Sequence, residues 1–399
     1  MLPIGPLRRR DFRFLYAAQF VSFFGTMITF VAVPYQMYRL TNSSLSVGLL
    51  GLAELVALLT TVFVGGALAD AVDRRRMAIM TDMALSLGSA SLMAIAIAGA
   101  TRPWMLYVLA AWMAAIGGLQ RPSMDSLVPR LVDKEEMPAA ASLAMFRGSL
   151  NMIAGPALAG VIIAASGVSA AYLVDFLSYI VSLFCLWQIR PVPPPEKGEA
   201  PSLQGVVEGF KYAASRQELI GTYVVDFVAM IFGMPMALFP AMADQLGGPT
   251  VLGLLYGAPA IGALVMSLTN KIWAPVKRHG LGVLLAAGVW GVAIVAFGFS
   301  DILWLSVVCL AIAGGADAVS AMYRMTMWNQ TIPDELRGRL ASIEIVSYTS
   351  GPMLGHVEAG LAAAAIGLRG SVISGGVLCV VGVLLCAWTL PRFVAYRAG

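Results

Sequence analysis

The chain has 399 residues, 59% of them hydrophobic and 12% charged, whereas a water-soluble domain carries about 25% charge. That balance excludes a soluble fold, and because apolar blocks of about 20 residues recur along the whole length, it also excludes a soluble domain on a single anchor. The net charge of +4 follows from basic residues gathered between the apolar blocks, which is the pattern of membrane topology, and no nucleic-acid partner is expected from it.

Arg8, Arg9, Arg10 and Arg13 precede the first block. No small-residue cleavage site follows, so the segment reads as the polar lead into a first span and not as a signal peptide, and neither end carries a lipidation motif. Blocks bounded by turn or charge signals then fall at 12–39, 46–70, 76–99, 104–127, 137–165, 169–189, 218–245, 250–274, 280–299, 303–330, 336–365 and 371–390. The alternating pattern of a membrane barrel is absent, and in lipid only helices otherwise satisfy their own backbone. The expected fold is an all-α membrane protein with twelve transmembrane helices.

The one long polar stretch, Arg190 to Leu203, contains a proline run that favours an extended linker. An amphipathic pattern from Leu203 to Arg216 predicts a short helix lying on the membrane surface. The expected organisation is therefore a six-helix bundle over 1–190, a cytoplasmic linker over 191–217 and a second six-helix bundle over 218–399. With the N-terminus inside, cytoplasmic segments hold 20 Lys and Arg and the outer segments hold three, Arg39, Arg102 and Arg369. Both termini are expected in the cytoplasm of a bacterium, with the chain in its inner membrane.

The halves repeat. Ala141-Ser142-Leu143 and Ala159-Gly160 recur as Ala341-Ser342-Ile343 and Ala359-Gly360, and Gly155 and Gly167 match Gly355 and Gly367, all at an offset of 200. Gly48 and Ala53 correspond to Gly253 and Ala258, and Pro129 to Pro333. Spans 5 and 11 are thereby equivalent, and an even number of spans between them makes the repeats parallel.

Each ionisable residue inside a span opposes insertion by about 2.5 to 3.5 kcal/mol at mid-bilayer and calls for compensation. Glu54, Asp226, Asp317, Glu344 and Glu358 are the deep carboxylates, Arg147 is the deepest cation, and His356 is the histidine that lies well inside a span. Each is a candidate for proton coupling; for Asp226 and Asp317 the alternative is structural pairing with Arg147 or Arg324, and for His356 it is a hydrogen-bonded packing role. Asp82 and Asp175 read as structural. Tyr16, Gln19, Tyr35 and Gln36 offer hydrogen bonds to a polar substrate, with Arg324 a further candidate for the cavity. Met230, Met234 and Met236 with Met322, Met325 and Met327 form either an adaptable apolar wall or ordinary packing. The four cysteines have no metal or disulfide spacing. No phosphate-binding loop, metal cluster or nucleophile elbow is present, so neither an enzyme nor a bound cofactor or metal is expected.

Between spans 2 and 3 the chain reads Gly66-Ala-Leu-Ala-Asp70-Ala-Val-Asp-Arg74-Arg75-Arg76. An acid at a helix end and a glycine that admits a close neighbour can latch two bundles in one conformation and release them in another. This stretch resembles the signature of the major facilitator superfamily at Gly66, Asp70, Arg74 and Arg75. Gly148, Gly155, Pro156 and Gly160 in span 5 are similar to the motif of its antiporter members, with Ala159 in place of one glycine. Val33-Pro34, the 191–195 proline run, Phe239-Pro240 and Gly338-Arg339-Leu340 resemble the branch that exports siderophores and drugs. The resemblance implies a secondary transporter, a proton-coupled exporter of a siderophore-like or drug-like amphipathic molecule, with protons and membrane lipid as partners and a monomer as the working unit. In that family spans 1, 4, 7 and 10 line the cavity, which favours Asp226 and Asp317 for coupling. A lipid or lysolipid flippase, or a non-transporting receptor or scaffold, are the alternative readings.

Overall fold

A computed structural model describes residues 4–71, 73–191, 211–212, 215–273, 275–333 and 337–398, without the side chains of 62–71 and 337–348. Among them no strand occurs, and the long helices are α1 (Arg10–Thr41), α2 (Ser44–Ala71), α3 (Arg74–Ile97), α4 (Pro103–Asp125), α5 (137–166), α6 (168–188), α7 (Gln217–Phe232), α8 (Pro249–Leu268), α9 (His279–Phe299), α10 (Leu303–Thr331), α11 (Arg337–Ile366) and α12 (Leu368–Thr389). Helices α5 and α6 form one continuous run broken at Gly167, whose φ of 78° only glycine adopts readily. Its counterpart Gly367 has φ 81° and opens α12 in the same way. The sequence repeat is thus a conformational repeat.

Among the described residues ten helical segments are long and apolar enough to cross a membrane. One of these is the 55-residue run Lys134–Gln188, which the Gly167 break divides into two passes, and α11 adds a further 30-residue helix. The chain is an all-helical, multi-pass membrane protein. Its helix bounds follow the apolar blocks to within a few residues, apart from α7, which stops at Phe232 and resumes as the short helix Phe239–Leu246 after Gly233 and Pro235. Most of the linker, 192–210, lies outside the described residues, and with it most of the expected surface helix.

The chain packs as two compact units: Met1–Thr41, Ala53–Ala200 and Gly248–Gly257 in one, Asn42–Leu52, Pro201–Gly247 and Ala258–Gly399 in the other. The start of α2 packs in the second unit and the start of α8 in the first. Both seats are glycine crossings. In the first unit, a Cβ on Gly160 of α5 would stand 2.6 Å from the Pro249 carbonyl oxygen and 3.1 Å from Gly253 Cα, and one on Gly253 would run into the Pro156 carbonyl. In the second unit, a Cβ on Gly360 of α11 would stand 2.9 Å from Leu45 Cα, and one on Gly48 would run into the His356 carbonyl. Lipid tails are as apolar as leucine, so helices gain by close van der Waals approach, and glycine permits it. Gly155 and Gly355 repeat the logic against Met27 of α1 and Met230 of α7.

The first unit is also stitched by polar side chains. Asp175 of α6 accepts from Thr29 of α1 and Ser89 of α3, both at 2.6 Å. Asp82 of α3 accepts from Ser182 of α6 and Gln120 of α4. Both carboxylates are fully buried and hydrogen-bonded across helices, in keeping with a structural role.

Replacing Gly253 by valine is expected to destabilise the detergent-purified protein by about 1–3 kcal/mol, through overpacking at the α5–α8 crossing. Gly148→Ala, where a Cβ meets nothing within 4 Å, is expected to leave the thermal midpoint unchanged. Thermal unfolding of the two variants side by side checks both statements.

Candidate functional site

In the second unit α10 carries Asp317 and Arg324 seven residues apart, two helical turns on one face. Asp226 of α7 meets them. Arg324 Nη1 donates to Asp226 Oδ1, and Arg324 Nη2 lies 3.6 Å from Asp317 Oδ1. The side chains of Arg324 and Asp226 are 7% and 11% exposed, that of Asp317 38%. The guanidinium is therefore held closely by one carboxylate and at longer range by another whose side chain is less buried. Arg324 Nε is buried with no hydrogen-bond partner among the described residues. Beside it, Asp317, Ser320 and Arg324 border a cavity of about 10 Å³, closed by Ala229 of α7 and Trp290 of α9, which has room for one water molecule.

The first unit has its own cationic cluster. Arg147 of α5 donates from Nη1 to Gln19 Oε1 of α1 and lies 5.9 Å from the centre of the Tyr16 ring, a cation–π distance. Tyr16 donates to the Leu143 carbonyl at 3.2 Å. Arg121 and Asp125 of α4 act on Arg147 electrostatically. Three candidates read separately from the sequence, Tyr16, Gln19 and Arg147, thus form one constellation. Asp125 was missing from that reading, although its place four residues after Arg121, one helical turn on, marks it as a possible partner.

Other candidates lie apart. Gln36 is committed to structure: its Oε1 accepts from Tyr172 at 2.7 Å and its Nε2 donates to Thr101 at 3.1 Å. Tyr35 is half-buried one position earlier. Met230 packs its Cβ against Gly351 of α11; Met327 is fully buried and Met325 is 48% exposed, so the methionines of α10 do not share one wall. Glu54 of α2 is half-buried and acts electrostatically on Tyr256 of α8, which packs edge-on to Phe30 with centroids 5.4 Å apart. His356 sits at the α2–α11 crossing, where its Nδ1 is 3.0 Å from the position a Gly51 Cβ would take, and its Nε2 is buried without a partner among the described residues. Glu358 is half-buried on the same helix, and Met234 is half-buried just beyond α7.

The side chains of Gly66, Asp70 and Glu344 lie outside the described residues. Of the signature, Arg75 is legible: it donates to the Leu186 and Trp187 carbonyls at 3.1 and 2.9 Å, so a cation closes the C-terminal end of α6 where free carbonyls and the helix dipole favour it. Asp73, not singled out from the sequence, is the N-cap of α3 and accepts from the Arg75 amide at 2.8 Å. An aspartate just before a helical run of arginines was the available signal.

The model of the transmembrane secretion effector family, a branch of the major facilitator superfamily, matches residues 1–397. The chain belongs to that family. Among curated relatives, the enterobactin exporter EntS of Shigella boydii serotype 18 is 28% identical over 377 residues, which cover 94% of this chain and 90% of the exporter. EntS of Escherichia coli O1:K1 is 27% identical over the same coverage. The fold is that of a bacterial homologue of the human lysosomal transporter Spinster, at TM-score 0.77 and 14% identity over 99% of both chains. It is likewise that of a bacterial homologue of the iron transporter ferroportin, at TM-score 0.72 and 15% identity over 98% of this chain and 99% of that one. The protein is a membrane transporter of the major facilitator fold and not an enzyme, with a small molecule as its substrate.

Arg324→Ala is expected to be the most destabilising change in the triad, about 3–5 kcal/mol, because it leaves the buried Asp226 carboxylate without its partner. Asp317→Asn, at the exposed and longer contact, is expected to shift the thermal midpoint far less. Unfolding of both variants in one detergent ranks them.

Proposed function

We propose that this transporter is a proton-coupled exporter, an antiporter that moves a siderophore-like or drug-like amphipathic molecule out of a bacterial cell by alternating access. The observation that carries the reading is the unequal grip on Arg324. Asp226 fixes the guanidinium, while Asp317, at 3.6 Å and 38% exposed, is free to trade its charge contact for a proton. A carboxylate whose ion pair forms and breaks with protonation is what couples a proton gradient to a change of conformation. The bundles 1–190 and 218–399 are the moving parts in this account. The enterobactin exporters among its relatives support a siderophore-like cargo, and the Arg147, Tyr16 and Gln19 cluster offers such an oxygen-rich molecule a cation, an aromatic ring and an amide.

The location proposed is the inner membrane with both termini cytoplasmic, supported by the 20-to-3 bias of Lys and Arg. The driving force is ample, since inward movement of one proton down 100 mV yields about 2.3 kcal/mol. A monomer suffices for this cycle.

In proteoliposomes holding the purified protein, an imposed pH gradient is expected to drive accumulation of enterobactin. Asp317→Asn is expected to remove the gradient dependence while leaving downhill exchange in place. Accumulation that needs no gradient, or that survives neutralisation of Asp226 and Asp317 together, contradicts proton coupling at this site.

A further inference from the structure

At the start of α9 an open cavity of about 390 Å³ is bordered by Lys277, Arg278 and Arg397. Among the described residues no carboxylate lines it. Its remaining wall is apolar, formed by Val276 just before α9 and by Leu281, Gly282 and Leu285 along the helix beyond the charges; Leu285 is 61% exposed on a membrane-spanning helix. Three cations at one end and a lipid-facing leucine stripe below them match one kind of molecule, a phosphate headgroup carrying acyl chains.

The three rim side chains are exposed, and the backbone that carries them is held in place. Arg397 comes from the C-terminal tail, which is fixed to the second unit at several points. Phe393 is fully buried and seats against Gly221 of α7 and Gly280 of α9, where a Cβ on either glycine would collide with it. The Arg392 amide donates to Gln217 Oε1 at 2.9 Å, Tyr396 donates to Gln330 Oε1 at 3.1 Å, and the Ala398 amide donates to the Lys277 carbonyl at 2.9 Å. The last bond ties the tail directly to the residue whose side chain borders the cavity opposite it. On the other side Gly282 lies against the ring of Tyr323, which fixes the first turns of α9. No side chain caps that helix, so its dipole adds to the positive field at the same end.

We propose that this cavity is a binding site for an anionic phospholipid, with the phosphate held by Lys277, Arg278 and Arg397 and an acyl chain lying along Leu281 and Leu285. The site is separate from the Asp226, Arg324 and Asp317 cluster and does not depend on the transport reading.

The test is native mass spectrometry of the full-length protein titrated with phosphatidylglycerol, phosphatidylcholine or glycerophosphoglycerol, with thermal stability followed in parallel. Wild-type protein is expected to retain phosphatidylglycerol in preference to phosphatidylcholine and to ignore the chain-free headgroup. The variant carrying Lys277→Ala, Arg278→Ala and Arg397→Ala is expected to bind phosphatidylglycerol on the order of a hundredfold more weakly, from about fivefold per charge, with its thermal midpoint in phosphatidylcholine unchanged. A second variant, Lys277→Arg with Arg397→Lys, keeps the charges and is expected to keep the lipid; it serves if the alanine variant does not fold. Equal retention of phosphatidylglycerol by the wild type and the alanine variant overturns the site. Binding of glycerophosphoglycerol as tight as the intact lipid overturns the lipid and leaves a soluble phosphate site.

Discussion

A guanidinium taken out of water must be met by anions or it is not tolerated, and that constraint organises the second unit. Arg324 faces α7 from α10, and the carboxylate it finds there, Asp226, is almost as buried as itself. Removing two charges from water opposes folding by several kcal/mol per ion before their attraction is counted. The pair therefore ties α7 to α10 only while both charges persist. Asp317 makes the arrangement asymmetric: it shares the guanidinium from farther away, and its side chain is less buried than those of the other two. In the proposed function one ion pair is the anchor and the other is the element that changes.

Glycine crossings set the helix positions within each unit. Helices in lipid have no hydrophobic drive toward one another, so their positions are set by where backbones can touch. Gly160 with Gly253 and Gly48 with Gly360 are such places, and Gly155 and Gly355 bring α5 against α1 and α11 against α7. Because these glycines recur at corresponding positions, the two units use the same contacts, and in the motif similar to that of antiporters Pro156 and Gly160 are the seat of α8 on α5 while Gly155 meets α1. The polar residues differ between the units. Where the second has an ion triad, the first has Arg147 held by an amide and an aromatic ring, with Asp125 as its nearby counter-charge.

The fold was legible because lipid imposes it. Apolar blocks of spanning length, a polar linker and glycines at a constant offset led to α1–α12 and to the repeat, and Gly167 and Gly367 prove to have the same left-handed backbone. The bend after α7 was not legible, since Gly233 and Pro235 sit in an otherwise unbroken apolar run. The site was legible residue by residue but not as a set. Hydropathy and cost of burial single out Asp226, Asp317 and Arg147, yet they do not say which partner each meets, so for Asp226 and Asp317 a coupling role and structural pairing with Arg147 or Arg324 both stay open in the sequence, and the geometry gives both carboxylates Arg324 as their cation. Gln36 shows the converse: a polar residue in α1, a helix expected from the resemblance to line the cavity, whose two amide atoms are both taken by Tyr172 and Thr101. Asp73 was within reach of the sequence, because capping follows local rules, and it was obscured by the stronger signature beside it.

In the proposed cycle Asp317 exchanges its contact with Arg324 for a proton as substrate comes and goes. Proton release on substrate binding tests it most directly, measured with a pH indicator in weakly buffered detergent solution as enterobactin is added to the purified transporter. The account predicts about one proton released per substrate bound by the wild type, and none beyond the ligand's own contribution by Asp317→Asn. Equal release from the two proteins, with substrate binding intact in both, would contradict it.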